Sequence, residues 1–360
     1  MPPALASSQA EQTLVINAVG DFAHPVQYYR QELEAFEYRV HDNVLPILRQ
    51  GDLNFVNLET PITGRAPVRK KMFAFNAPLA SLTELSRVGF NLIALANNHL
   101  GDAGQAGIED TVAHLKQLSQ TRPLYWAGAD PGQQPLYFQL PGHPQKIAFL
   151  AKGSEEELPE FDVATAVAQV QEAASRADIV LVSVHAGTEY IHQPPAAVVE
   201  GFRRLIDAGA TVIFGHHPHV AQGVEVYGRG IIFYSLGNYS LSSKTVRHHR
   251  TGAKLFAMLP TLTFHGNRLA SVRITPLYVN NSEPLVLGDG ELTLQPTPFR
   301  PQVASGVFAR HINGHLVDWS RKIGGNTTKF VYSGEVLQVE IPSGDSPSPG
   351  AVAQSMQVNQ

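Results

Sequence analysis

The chain of 360 residues contains no cysteine. That excludes a disulfide framework and thiolate zinc binding, so any metal must be held by His, Asp, Glu or Asn. No run of about 18 or more apolar residues occurs, which excludes a membrane-spanning helix. Charge of one sign is also scarce in blocks: 27 Lys+Arg against 31 Asp+Glu leave a formal charge of −4, and nothing in that balance recommends nucleic acid or an anionic membrane surface as a partner. Met1 to Thr13 lack the basic start and apolar stretch of a secretory signal, so the sequence as written reads as cytoplasmic, and as exported if its front end has been truncated. What is present is 43% hydrophobic residues, enough for a large core in one domain or two.

Short apolar runs alternate with amphipathic stretches. Leu14-Val-Ile16, Leu53 to Val56, Leu92 to Leu95, Ile147 to Leu150, Ile179 to Val182, Val212 to Phe214 and Ile231 to Phe233 have the length and composition of buried strands. Between them Gln27 to Arg49, Leu79 to Val88, Gln105 to Leu118, Val163 to Ser175 and Pro195 to Ala208 carry apolar residues at three-to-four spacing, with Pro195 suited to a first turn and Gly209 to a helix end. This alternation predicts a layered α/β architecture. From Val224 to Leu277 the pattern turns to strands joined by tight turns at Gly228-Arg-Gly230 and His265-Gly-Asn267. Residues 281–342 carry a further strand, a helix from Val303 to Ile323 and a terminal strand near Val336 to Ile341, and the Ser/Pro/Gly/Gln-rich stretch 343–360 reads as disordered.

The chemistry gathers where apolar runs end. Gly215-His-His-Pro-His219 places three imidazoles in four positions; as neutral donors they suit a transition metal, for which His is the commonest protein ligand. The i, i+2 spacing of His217 and His219 directs both rings to one side if the backbone is extended, with Pro218 stiffening the presentation. Asp21 follows a glycine at a strand end, although a Gly-Asp pair by itself is equally a turn. Alternation puts Asn57 and Glu59 on one face. Asn97-Asn98-His99 leaves the third strand, with Asn98 offering a neutral amide oxygen and His99 a proton donor, while Asp102 suits the N-cap of the next helix. His185 repeats the placement after another strand. Residues at such strand ends line the crevice in which open α/β sheets bind ligands, and together they point to a metal-centred hydrolytic site.

These blocks, in this order, resemble the CapA family of poly-gamma-glutamate capsule biosynthesis proteins, within the calcineurin-like metallophosphatase superfamily. The matching residues are Gly20-Asp21, Asn57 to Pro61, Ala96 to His99 with Asp102 and Gly104, Ala127 to Ala129, His185 to Tyr190, Asp207 to Ala210, Gly215 to Val220 and Tyr234 to Asn238, spread over about residues 13–280. The resemblance implies a four-layer α/β/β/α sandwich over residues 13–280, leaving 281–342 as a C-terminal α+β extension packed on it. It implies two divalent metals, drawn from Mn, Fe, Zn or Mg. Asp21 and His219 hold one, Asn98, His185 and His217 the other, and Glu59 bridges; superfamily patterns align with either His216 or His217, and the x-Pro-His geometry favours His217. His99 becomes the general acid or oxyanion partner, with Asp102 and Glu189 orienting ligands through their outer N–H groups. Two metals about 3.5–4 Å apart activate a bridging water and clamp the reacting oxygens. The superfamily's first motif is Asp-x-His, but Ala23 stands in the His position, with His24 one place later; the first metal is therefore expected to be ligand-poor. The substrate is a small molecule or an anionic polymer. The alternative function is a non-catalytic, metal- and polymer-binding component of capsule synthesis or export.

Overall fold

The computed structural model describes residues 13–153, 162–241, 256–279, 284–288, 290, 292–295 and 297–342. In chain order the elements are β1 (Thr13–Phe22), α1 (Val26–Ala35), α2 (Leu45–Leu48), β2 (Leu53–Leu58), α3 (Leu79–Val88), β3 (Leu92–Ala94), α4 (Gly104–Ser119), β4 (Tyr125–Ala127), β5 (Leu136–Gln139) and β6 (Lys146–Gly153). They continue with α5 (Val163–Ala174), β7 (Ile179–His185), α6 (Ala196–Asp207), β8 (Val212–His216), β9 (Val224–Tyr227), β10 (Gly230–Phe233), β11 (Asn238–Ser240), β12 (Phe256–His265) and β13 (Arg268–Tyr278). Beyond these lie β14 (Leu285–Leu287), β15 (Leu292–Leu294), β16 (Gln302–Val303), α7 (Gly306–Arg321), β17 (Phe330–Ser333) and β18 (Val336–Val339).

Two sheets stack face to face. A ten-stranded sheet runs β17-β18-β13-β12-β1-β2-β3-β4, with β11 paired to β1 and β16 to β13, and a six-stranded sheet runs β5-β6-β7-β8-β10-β9. Strands β1 to β4 are parallel to one another, as are β6, β7, β8 and β10. Because side chains alternate across a strand, each sheet feeds two cores. Ile16, Phe55 and Leu92 of the larger sheet meet Phe149, Leu181 and Phe214 of the smaller in the central core. The opposite faces pack on helices: Val56 and Ile93 against Leu82 and Leu85 of α3 and Leu115 of α4, and Val180, Val182 and Ile213 against Val170 of α5 and Phe202 and Leu205 of α6. Three apolar layers separate four layers of structure, the α/β/β/α sandwich expected. Helix α7 closes one edge, with Ile312 and Leu316 in the central core and Ser320 Oγ accepting from Val224 N at 2.8 Å.

The local signals explain most boundaries. Helix α5 is capped by Asp162, whose carboxylate accepts from Ala164 N and Thr165 N, and Gly89 and Gly209 end α3 and α6 at φ values of +102° and +114°. One expectation fails: residues 27–49 are not one helix. Glu37 and Tyr38 adopt φ of +51° and +60°, and Pro46, which cannot continue a helix because it lacks an N–H, instead sits in the first turn of α2. The disorder expected at 343–360 falls outside the described residues. Among the described residues no helix is long and apolar enough to cross a membrane.

Candidate metal centre

Strands β1 and β2 of one sheet and β7 and β8 of the other end at the same edge of the sandwich, and their last residues face one another. Two glycines make this approach close. A Cβ at Gly20 would lie 1.7 Å from the Gly237 carbonyl oxygen, and one at Gly215 2.0 Å from that of Tyr234. These are backbone atoms directly flanking β11 and β10, and Gly237 O also accepts from Asp21 N at 3.0 Å, so neither position can take a side chain without moving Asp21 or His216. Gly20→Ala is therefore expected to destabilise the fold by the upper end of about 1–3 kcal/mol and to weaken metal binding as well; a denaturant midpoint within error of wild type would contradict this packing.

Glu59, just past β2, is the hub. Its carboxylate, a ring nitrogen of His185 and one of His217 lie within 4.8 Å of one another, and so do ligand atoms of Asp21, Glu59 and His219; all are buried. His185 Nε2 stands 3.4 Å from Glu59 Oε1 and 2.9 Å from Asn98 Oδ1. Asp21 receives hydrogen bonds from Asn57 Nδ2 at 2.8 Å and His216 Nδ1 at 3.0 Å, and His219 Nδ1 lies 3.4 Å from its other oxygen. The structure thus brings together all six candidate ligands, Asp21, Glu59, Asn98, His185, His217 and His219. Neither triad includes His216, whose Nδ1 instead faces Asp21.

Both oxygens of Glu59 and both ring nitrogens of His217 are buried without a hydrogen-bond partner among the described residues. Leaving such groups unsatisfied costs about 1–3 kcal/mol each, and a cation between them removes that penalty. The donors are nitrogen and oxygen only, a set suited to first-row divalent ions.

The electrostatics express the same tension. Burial pushes Glu59 well above the usual carboxylate range, and the charge of Asp21 adds to it. Burial would raise Asp21 too, but hydrogen bonds from His216 and His219 hold it well below its ordinary value. His219 is pushed up to about 10, the attraction of Glu59 and Asp21 outweighing its burial. Burial, together with the charge of His219, drives His217 down to about 3.

Beside this cluster stands His99. Its Nδ1–H donates to Asp102 Oδ2 at 2.7 Å, and Asp102 Oδ2 also accepts from Phe75 N at 2.7 Å. Lys71 Nζ lies 2.6 Å from Asp102 Oδ1 and donates to Asn98 O at 2.6 Å. Asp102 is thus not the N-cap of α4, which begins after Ala103 with no side-chain cap; its carboxylate is taken by His99, Lys71 and the Phe75 amide. Glu189, half-buried at the rim, bears on the cluster by charge, raising both Glu59 and His219.

A second expectation also changes. His217 and His219 do not sit in extended backbone: their φ values are +92° and +57°, a left-handed region that costs a non-glycine residue about 1–3 kcal/mol. The two rings converge because the chain turns at each histidine, not because they alternate along a strand. Ala23 offers no ligand, and His24 turns away to Ser81 Oγ and Ser240 Oγ, each at 3.0 Å. His192 stacks on Trp319 with centroids 3.9 Å apart. The sequence reading gave no role to Lys71, Phe75 or Asn238. Asn238 Oδ1, brought opposite Asp21 by the β1/β11 register, accepts from His219 Nδ1 at 2.9 Å. The run Arg65 to Lys71, with four cations and no acid, was the one available signal for Lys71.

The fold is shared with a solved structure. A crystal structure titled as a novel phosphatase of Mycoplasma pneumoniae superposes with a TM-score of 0.50 at 15% identity, covering 75% of this chain and 95% of that one. Residues 15–242 match the family described as Bacterial capsule synthesis protein PGA_cap, and the chain belongs to that family. It is 31% identical over 210 residues to the PGA biosynthesis protein CapA of Bacillus subtilis, covering 54% of this chain and 55% of that protein. It is 30% identical over 260 residues, 64% of this chain and 66% of the other, to a Mycobacterium tuberculosis protein named Probable polyglutamine synthesis accessory protein. The chain spans about half the length of the Bacillus relatives it matches.

Proposed function

We propose that this chain is a metal-dependent hydrolase, phosphoesterase-like in chemistry, acting on an anionic polymer or its precursors in capsule or poly-gamma-glutamate synthesis. The observation that carries the reading is Glu59: one buried carboxylate shared by two ligand triads, with neither oxygen otherwise hydrogen-bonded. Asp21 and His219 would hold one divalent ion, Asn98, His185 and His217 the other, and Glu59 both. Ions held by these residues would supply a water of near-neutral pKa and positive charge for the oxygens of the reacting group. Asn57 and Asn238 hold His185 and His219 in place, with contacts of 3.2 Å and 2.9 Å to their Nδ1 atoms. His99, fixed at Nδ1 by Asp102, would act as the imidazolium, giving its Nε2 proton to the leaving group.

One observation favours a second reading, a polymer-binding component without turnover: Ala23 leaves the first site with Asp21, His219 and the shared Glu59 as its described carboxylate and imidazole ligands. A metal titration run against alkyl and aryl phosphoesters and a gamma-glutamyl amide separates the two. The hydrolase reading expects turnover of at least one substrate class that rises with bound metal and is abolished by chelation. Metal-loaded protein with no turnover above free metal would leave the binding role.

A further inference from the structure

Between the bridged residues Ile62 and Ala77, the chain makes an excursion over 63–76. Its base is closed by hydrogen bonds of 2.9 Å from Thr63 N to Ala77 O and from Ala77 N to Pro61 O. Val68 and Met72 stay exposed on its outer side. Its inner side meets the loop that carries Asn98, His99 and Asp102. Val68 N donates to Asp102 O at 2.8 Å, the Phe75 ring lies over the His99 imidazole with centroids 4.1 Å apart and planes within 17°, and the Lys71 side chain, only 9% exposed, reaches the Asp102 carboxylate, which is fully buried.

We propose that Lys71 and Phe75 are positioning residues for His99, fixing its tautomer and its plane from outside the loop on which it sits; this rests on the hydrolase reading above. Asp102 Oδ2 accepts the His99 Nδ1–H and the Phe75 N–H, while Oδ1, without a hydrogen bond of its own, is held by the charge of the Lys71 ammonium 2.6 Å away. A carboxylate held by two hydrogen bonds at Oδ2 and by the Lys71 charge at Oδ1 resists rotation, so His99 keeps one proton at Nδ1 on the Asp102 side and leaves Nε2 to take up the second, which the imidazolium then gives to the leaving group, while the stacked Phe75 ring sets the plane. Without Lys71, the charge on buried Oδ1 has no counter-ion, which favours rotation of Asp102 and release of the imidazole. Lys71 also holds the Asn98 carbonyl, so a mere loop anchor is the competing role, and it differs in consequence: loss of that anchor would disturb a metal ligand.

Lys71→Met, Lys71→Arg and Phe75→Leu in the full chain, loaded with Zn or Mg, decide between them. Bound metal per chain, rates on an alkyl and an aryl phosphate, and the imidazole ¹⁵N shifts of His99 are measured on each. Lys71→Met should keep its metal, lose the single Nδ1–H tautomer, and fall about 10–100-fold on the alkyl ester, the usual range for outer-shell partners, with a much smaller loss on the aryl phosphate. Lys71→Arg should restore most of that loss. In an Asp102→Asn background Lys71→Met should cost nothing further, since it acts through that carboxylate. Phe75→Leu removes only the ring and should show a weaker form of the same pattern, which preserves the test if Lys71→Met does not fold. Loss of metal with equal falls on both substrates would make Lys71 a loop anchor and overturn the proposal. If wild type turns over neither substrate the hydrolase reading fails on its own, and the ¹⁵N shifts still decide: an unchanged single tautomer in Lys71→Met overturns the positioning role.

Discussion

His99→Ala, fully loaded with metal, is expected to lose about 10²–10⁴-fold in rate on alkyl phosphate esters, the range of a removed general acid, and far less on aryl phosphates. An aryl oxide departs without a proton, whereas an alkoxide needs one. Burial, with the charge of Lys71 adding to it, pushes the His99 pKa down to about 4, so the imidazole is neutral in the resting site at neutral pH. Negative charge on the bound substrate works the other way, favouring the protonated ring. Retained metal separates this variant from any ligand replacement. Equal losses on both esters would remove His99 from the acid role and leave oxyanion contact; no loss on either would make it structural.

Glu59→Ala is expected to remove both metals, because both triads contain it, whereas His217→Ala or Asp21→Ala should each spare one site. The variant should also reverse a sign. In metal-free protein Glu59 is a buried carboxyl without hydrogen bonds, and its loss should leave the chelated fold no less stable. With metal present only the wild type gains, by RT ln(1 + [L]/Kd), about 2.7 kcal/mol at 100 times Kd. Thermal melts of both proteins, chelated and metal-loaded, read the two effects. A Glu59→Ala protein that binds two ions and is stabilised by them would remove Glu59 from the centre.

The legible parts of the sequence were those in which one local rule acts alone. Ile179 to Val182 and Val212 to Phe214 are apolar on both faces because each face lies in a separate core, and continuous apolar runs report that directly. The α3 limits, Leu79 to Val88, followed from apolar residues at three-to-four spacing. The six candidate ligands were visible because each follows an apolar run, and a parallel sheet brings such ends to one edge. What was not legible depends on contacts distant along the chain. Asn238 meets His219 through the β1/β11 pairing, and β11 has three residues, too few for a pattern. The Lys71–Asp102 pair spans a loop with no periodicity. The turn at His217 and His219 defeats a strand rule because it carries positive φ at residues other than glycine, the kind of strain found at functional sites.

The most direct test of the shared-carboxylate centre is the electron paramagnetic resonance spectrum of the chain titrated with Mn(II). At about two ions per chain, ions some 3.5–4 Å apart and bridged by Glu59 should be exchange-coupled, with the isolated-ion six-line signal weakening as the second site fills and no such coupling in Glu59→Ala. Full loading with the undiminished spectrum of two isolated ions would contradict it.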